Sequence, residues 1–459
     1  MPAEWPSRFI YICNAGRAAL VNALPLMHDG LDRVTHVVVF CGAENAAATS
    51  DSTDHAEAVA PAHRLHRLLS QWTSGRLSEA RGTFRILYGS PTGVADWRSN
   101  MRSVLADLSG EPFSALPILY NFKSGTKEMA IGGATVLAAE APVRGWLITV
   151  SDQLPRVERV TGDAQEALPV AGGHLDLPRY LELYGFREHI DTAPDQAHQQ
   201  RAAFEALCIA EHERIAAFAG YFLPHAPDLW PVLQRMTRPA DGTPPGTGFI
   251  DIPKPDKSGL TPKICHALAA ALGALHGFPG LEIALSAPGQ CAKFRIADAV
   301  AARFLRGGWL EAAVFLALRQ AVGGRNDVTI AAGLGLAPVE APTRRETEID
   351  VAILIGSQLL IIEAKSSTMT GQAAERVNER SLPMVEGNMR ALLGQVGKAL
   401  VVNPCVTAKS LRKQGGTVSQ RSRRGGLDLF LGPTAIDDLV EYVKALAEND
   451  APAASDDGG

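Results

Sequence analysis

The sequence lacks any apolar run long enough to cross a bilayer. Its start, MPAEWPSRF, has neither the basic nor the apolar region of a signal peptide. Cysteine is sparse and scattered: Cys13, Cys41, Cys208, Cys265, Cys291 and Cys405 form no CxxC pair and no metal-ligand spacing. That argues against a disulfide framework or a zinc ribbon and for isolated buried thiols in a reducing compartment. An excess of one charge is missing too, since 44 basic and 49 acidic side chains leave −5. No general nucleic-acid-coating surface is expected, and any basic binding site must be local. Common phosphate and metal signatures are also absent. There is no GxxxxGK[ST] loop, Gly333 and Gly335 lack the third glycine of a dinucleotide fingerprint, and His212-Glu213 lacks the second His of HExxH. The expectation is a soluble cytoplasmic protein with no membrane partner.

What is present is a 459-residue chain, 46% apolar and 20% charged, which is too long for one ordinary core and predicts two or three globular domains. Short apolar runs at 9–13, 37–41, 84–88, 117–120 and 146–150 read as strands, with helical stretches between them. This alternation predicts a parallel, Rossmann-like α/β sheet with helices on both faces. Ligands of such sheets sit outside the C-terminal strand ends. A Gly/Pro link at 168–173 breaks the rhythm, and a mostly helical middle follows, interrupted by a Pro/Gly/Thr-rich loop at 237–247. A last α/β segment opens with a helix from about Ile296 to Ala321, and the tail from Asp450 reads as disordered. The division is 1–167, 168–292, 293–449 and 450–459.

One hairpin stands out. Glu348-Ile349-Asp350-Val351-Ala352-Ile353-Leu354-Ile355 and Gln358-Leu359-Leu360-Ile361-Ile362-Glu363-Ala364-Lys365 are two apolar strands joined by Gly356-Ser357. Antiparallel pairing sets the start of one beside the end of the other, so Asp350 and Glu363 converge with Lys365 on the same face. Two carboxylates and an ammonium suit metal-dependent phosphodiester hydrolysis. The Ala364 carbonyl adds a further hard oxygen for Mg²⁺ or Mn²⁺. The same residues are equally the solvated ends of an edge hairpin with a surface ion pair. Upstream, Glu311 follows Gly307-Gly308-Trp309-Leu310 on an otherwise apolar helix face, as a helix-end charge or as a carboxylate aimed into a site.

A second cluster lies in the N-terminal sheet, where Leu119-Tyr120-Asn121-Phe122-Lys123 runs into Ser124-Gly125-Thr126 and a helix beginning at Lys127. Free N–H groups at that helix start, a hydroxyl and an ammonium make an anion cradle; the plainer reading is a Thr N-cap with Lys in solvent. The adjacent loop Asn14-Ala15-Gly16-Arg17 can reach the same ligand. Arg412, Lys413, Arg421, Arg423 and Arg424 lie in an acid-free stretch, either a phosphate-backbone contact or a solvated loop.

GGWLE, ETEIDVAIL and LLIIEAK together resemble the PD-(D/E)xK nuclease superfamily, and more closely the CRISPR ancillary nucleases of type III systems that carry an N-terminal CARF domain. NFKSGTKEM resembles the CARF signature, with Ser124 where Gly is usual. This resemblance implies an α/β fold with a Rossmann-like CARF domain, a helical middle region and a C-terminal restriction-endonuclease-like domain. It implies catalytic roles for Glu311, Asp350, Glu363 and Lys365, with Glu311, Asp350, Glu363 and Ala364 holding Mg²⁺ or Mn²⁺; Glu348 assists or is a solvated strand start, and Gln395 stands where relatives have a Gly pair. It also implies binding of a cyclic oligoadenylate, the tetramer by family likeness, at Asn14, Arg17, Asn121, Ser124, Gly125, Thr126 and Lys127. The expected protein is a homodimeric nuclease of RNA or DNA switched on by that messenger. The rivals are a non-enzymatic ligand-sensing regulator with an inert nuclease-like domain and a constitutive restriction-type nuclease.

Overall fold

The computed structural model describes residues 6–15, 22–23, 25–26, 30–42, 53–89, 93–123, 125–150, 157–161, 164–167, 175–189, 194–237, 249–255, 260–339, 347–356, 358–366, 397–405 and 427–450. Arg17, Ser124, Gln395, the link at 168–173 and the basic stretch at 409–424 lie outside them.

The N-terminal segment alternates as its apolar runs predict. Strands β1 (Phe9–Asn14), β2 (Val34–Gly42), β3 (Phe84–Gly89), β4 (Ile118–Asn121) and β5 (Gly145–Val150) are parallel neighbours. Helices α1 (Thr53–Trp72), α2 (Val94–Asp107) and α3 (Lys127–Glu140) connect them. An antiparallel pair, β6 (Val157–Thr161) and β7 (Ala164–Ala167), extends the sheet to the order β3-β2-β1-β4-β5-β6-β7. Sequence reading missed this pair because VERVT and AQEA carry little apolar signal. Both faces of the sheet are covered, which is why its strands read as continuous apolar runs rather than as alternation. Phe9, Tyr11, Val37 and Val39 pack with α1, whereas Ile10, Ile12, Val38 and Phe40 pack with α2 and α3. The strand order reverses between β1 and β4, the place where doubly wound sheets leave a crevice.

The middle region is less uniformly helical than its pattern suggests. Helices α4 (Leu177–Leu183), α5 (Pro194–Ala210), α6 (His212–Phe222), α7 (Ala226–Thr237) and α8 (Pro262–Ala274) are present, yet Phe186–Glu188 forms a strand, β8. A three-stranded sheet of β9 (Ile250–Asp251), β10 (Leu281–Ala287) and β11 (Gln290–Ile296) interrupts and follows the stretch read as mostly helical. The helical reading failed there because a short apolar run serves either element and only pairing decides.

The C-terminal segment begins with α9 (Ala299–Arg303), a π-helical turn at Phe304–Gly308, and α10 (Trp309–Val322). Its sheet has the order β16-β15-β14-β13-β12-β8, built from β12 (Val328–Pro338), β13 (Thr347–Ile355), β14 (Gln358–Ala364), β15 (Lys398–Asn403) and β16 (Leu427–Leu431). Helix α11 (Ala435–Asp450) closes the described chain. Pairing is antiparallel from β8 to β14 and parallel from β14 to β16. Val351, Ile353, Leu360 and Ile362 face α10 and α11; Ala352, Leu354, Leu359 and Ile361 face a core that continues through α4 to the N-terminal sheet. All six cysteines are buried and none is in a disulfide, as expected. Among the described residues no helix is long and apolar enough to cross a membrane.

Candidate functional site

Strands β13 and β14 pair from Ile355–Gln358 back to Val351–Ile362, and one step further the register sets Asp350 opposite Glu363. Both strands are apolar on both faces, so the register is set by the length of the two-residue link at 356–357 rather than by alternation. The ladder ends at that step, and Asp350 Oδ2 accepts a hydrogen bond from the Ala364 N–H at 2.8 Å. On the other side, the Lys365 N–H donates to Val402 O of β15 at 2.8 Å. The Glu363-Ala364-Lys365 end is therefore held from both flanks, and the Lys365 ammonium pairs with the Glu363 carboxylate. On β12, Gly333 lies between the pairs Ala332–Val351 and Leu334–Ile349 with φ of 63°, so the partner strand kinks opposite Asp350. Gly333 thus serves the backbone, a left-handed conformation that glycine adopts at low cost.

Glu311 arrives from the other layer. It sits in the first turn of α10, directly after the π-helical turn, where Gly307 has φ of 145°. A Cβ there would lie 3.3 Å from Ser366 Oγ, so the Gly-Gly pair lets the helix start press against the end of β14. Single π-helical turns recur at functional sites because they re-aim the side chains that follow. Glu311 is 18% exposed and its Oε2 is buried without a hydrogen bond; Arg303 Nη2 lies 3.5 Å away. The same Arg303 Nη2 reaches Glu348 Oε1 at 3.2 Å. Sequence reading missed Arg303 and Ser366, and an Arg eight residues before an acid carries no signal without the intervening turn.

Three carboxylates thus share one partly desolvated place, and their proton affinities record it. Burial, followed by the Glu363 and Glu311 charges, pushes Asp350 up to about 8, against the opposing pull of Lys365 and the Ala364 N–H. Burial also raises Glu311, with Arg303 opposing and Glu348 adding to the rise. For Lys365 burial acts to lower the pKa, but Glu363, Asp350 and Glu311 outweigh it and hold the ammonium charged. Among the described residues no three acidic, His or Cys side chains stand close enough to enclose a cation as they are placed; Glu363 is turned to Lys365 and Glu311 toward Arg303. The donor chemistry nevertheless fits a hard divalent ion: oxygen ligands, a surplus of negative charge, and a buried oxygen with no hydrogen-bond donor.

At the other end of the chain, the loops after β1 and β4 meet at the crevice. Gly125 has φ of 84°, and a Cβ on it would lie 2.6 Å from Asn14 Cβ and 3.3 Å from Ala15 O. Beneath the two loops runs a buried polar lattice. Tyr120 Oη hydrogen-bonds Asn14 Oδ1 and Met129 O, both at 2.9 Å, and Asn121 Nδ2 donates to Tyr11 Oη at 3.0 Å. Tyr11 Oη in turn donates to Asn22 O, and Asn22 Nδ2 donates to Asn14 O. Asn14 and Asn121 are fully buried in this lattice rather than open to a ligand. Thr126 Oγ1 accepts from the Met129 N–H at 3.3 Å, so it caps α3 as the plainer reading had it. Gly125 and Lys127 are exposed at the crevice.

Residues 298–446, which contain Glu311, Asp350, Glu363 and Lys365, match the profile of the Card1-like endonuclease domain. Over nearly its whole length the chain is similar to protein VC1899 from Vibrio cholerae, with a TM-score of 0.60, 15% identity and coverage of 96% of this chain and 98% of that one. It is likewise similar to Can2 from Sulfobacillus thermosulfidooxidans, whose structure is in complex with cyclic tetra-adenylate, with a TM-score of 0.57, 15% identity and coverage of 95% and 99%. No curated protein matches the chain. Identity at this level speaks for the fold, and it bears out the expected α/β architecture. The chain thus carries a match to the Card1-like endonuclease domain at residues 298–446, in a fold shared with Can2 and the Vibrio cholerae protein.

Proposed function

We propose that the chain is a divalent-metal-dependent nuclease whose activity is switched on by a cyclic oligoadenylate bound at the β1–β4 crevice. The observation that carries this reading is the meeting of Glu311, Asp350 and Glu363 beside Lys365 at the end of β14, within the stretch that matches the endonuclease profile. Glu311, Asp350, Glu363 and the Ala364 carbonyl would hold Mg²⁺ or Mn²⁺, which supplies polarisation of the scissile phosphate and a more acidic bound water. Asp350 is fixed for this by the Ala364 N–H. Lys365, held charged by its carboxylate neighbours, orients the attacking water or offsets charge on the phosphorane as the P–O bond breaks. Partial burial keeps these interactions strong, because the local dielectric is lower than that of water.

The input is the crevice formed by Ala15, Gly125 and Lys127, where a phosphate can meet the free N–H groups at the start of α3 and the Lys127 ammonium. Arg17 and Ser124, close to these residues in sequence, complete the proposed binding set, whereas Asn14, Asn121 and Thr126 act by shaping the crevice. Can2 was solved with cyclic tetra-adenylate, and a two-fold symmetric ring suits a homodimer presenting the crevice twice. The proposed units are a sensor over 1–167, a connecting region over 168–292 and a nuclease unit over 293–449.

The test is incubation with labelled RNA, single-stranded DNA and duplex DNA, with Mg²⁺ or Mn²⁺ or EDTA, each with and without cyclic tetra- and hexa-adenylate. Cleavage that needs both metal and messenger is expected. Cleavage without messenger would favour a constitutive nuclease, and none under any condition would favour an inert regulator. Glu363→Ala and Lys365→Ala are expected to abolish cleavage with messenger binding intact, and Lys127→Ala to weaken messenger binding; retained cleavage or unchanged affinity overturns the respective assignment.

A further inference from the structure

Arg303 is placed in an unusual way for a side chain outside the hairpin motif. It ends α9, one residue before the π-helical turn, and is half exposed at 48%. Its Nη2 lies between two carboxylates, 3.5 Å from Glu311 Oε2 and 3.2 Å from Glu348 Oε1. The second contact is a hydrogen bond and the first is not, so Glu311 Oε2 receives charge compensation but no donor. The guanidinium also lies over the Phe204 ring of α5 at 5.4 Å from its centroid. The kinked Gly333 faces it, with 3.7 Å between Nη2 and the position a Cβ would take. The arginine is therefore supported on one side by an aromatic face while its charge addresses Glu311 on the other.

We propose that Arg303 is a resident counter-cation that draws Glu311 away from the metal position and that gives up this carboxylate when a divalent ion binds. The inference rests on the reading of Glu311, Asp350 and Glu363 as a metal site. Because one Nη2 serves both acceptors, letting go of Glu311 leaves the hydrogen bond to Glu348 and the stack on Phe204 intact. The arginine need not swing into solvent. An ion pair of 3.5 Å without a hydrogen bond is the weaker of the two contacts and the one that yields. Glu348, read from sequence as a helper or a solvated strand start, keeps Arg303 docked in the loaded site. Arg303 is in this sense a positioning residue, acting on the metal through Glu311.

The test measures Mn²⁺ binding to the full-length chain by calorimetry, without nucleic acid or messenger, for the wild type, Arg303→Gln, Arg303→Lys, Glu311→Gln and the double variant Arg303→Gln/Glu311→Gln. Removing the competitor is expected to tighten Mn²⁺ binding by about fivefold or more, the size of an ordinary coupling between neighbouring sites. Arg303→Lys is expected to stay near the wild type. In the Glu311→Gln background the arginine substitution is expected to change nothing, because the carboxylate over which the two cations compete is gone. A general effect of losing one positive charge would persist in that background, and its persistence would overturn the proposal. So would unchanged or weaker binding by Arg303→Gln. A wild type that binds no Mn²⁺ would instead refute the metal site itself, so the two failures are distinguishable. Arg303 is partly exposed, and circular dichroism of each variant checks that the fold is kept.

Discussion

Asp350 concentrates the electrostatics of the candidate active site into one titration. Burial, with the Glu363 and Glu311 charges, pushes its carboxyl from 3.8 up to about 8 in the folded chain. Between those values the folded chain binds more protons than the unfolded one, so this group makes stability fall as pH rises through the window. The metal-free chain in EDTA is expected to melt at a higher temperature near pH 5 than near pH 8. Asp350→Asn keeps an acceptor for the Ala364 N–H and removes the charge, so it is expected to raise the melting temperature at pH 8 and flatten this dependence. Differential scanning fluorimetry across pH checks both; a lower melting temperature for the variant at pH 8 would show that the buried Asp350 charge is not unfavourable there. The aspartate and Glu363 were legible in the sequence because two apolar runs joined by a two-residue link fix the register of the hairpin. Arg303 was not, since its meeting with Glu311 depends on a turn of π-helix.

At the scale of single elements, α3 and its approach loop show how glycines set distances. A Cβ on Gly133 would lie 2.6 Å from the Tyr120 ring, the ring whose hydroxyl ties Asn14 to Met129. Gly133→Val is expected to cost about 1–3 kcal/mol by overpacking, read as a lower urea midpoint with an unchanged slope. Gly125→Ala meets both a left-handed φ and Asn14 Cβ at 2.6 Å. A comparable loss of stability is expected, together with weaker binding of cyclic tetra-adenylate by titration calorimetry. Thr126→Ala removes an N-cap and is expected to cost about 1 kcal/mol, whereas Thr126→Ser keeps the cap and should restore stability. The motif NFKSGTKEM was readable as a strand, turn and helix start. That its threonine is an N-cap was one of the two local readings, whereas the burial of its asparagine emerged only when β1 was seen to lie beside β4, because burial is a property of neighbours and not of spacing.

For the whole molecule, the least expected element is β8. Three residues from the nominally helical middle, Phe186–Glu188, pair with Pro338, Ala337 and Leu336 and complete the edge of the C-terminal sheet. Arg201 of α5 ties Glu188 at 2.9 Å, and Glu205 Oε1 accepts from the Ala332 N–H at 3.0 Å. With α4, these contacts carry one apolar core from the N-terminal sheet to Leu336, Ala352 and Ile361. A fragment beginning at residue 190 loses β8 and leaves the β12 edge open to self-association. It is expected to aggregate in sedimentation runs, while a fragment beginning at residue 175 stays dispersed. Equal behaviour of the two would deny β8 this part.

Local information was enough for the parallel sheet, the acid-bearing hairpin, the helix that brings Glu311, and their order along the chain. These rest on apolar period, turn chemistry and strand length, which act over a few residues. Tertiary structure alone decided that β8–β11 are strands, that Asn14 and Asn121 are buried, and that Arg303 stands against Glu311. Each of these depends on a partner distant in sequence, such as β12 for β8, Tyr120 for Asn14 and Tyr11 for Asn121, and on contacts such as Gly307 against Ser366 that only a folded chain can make.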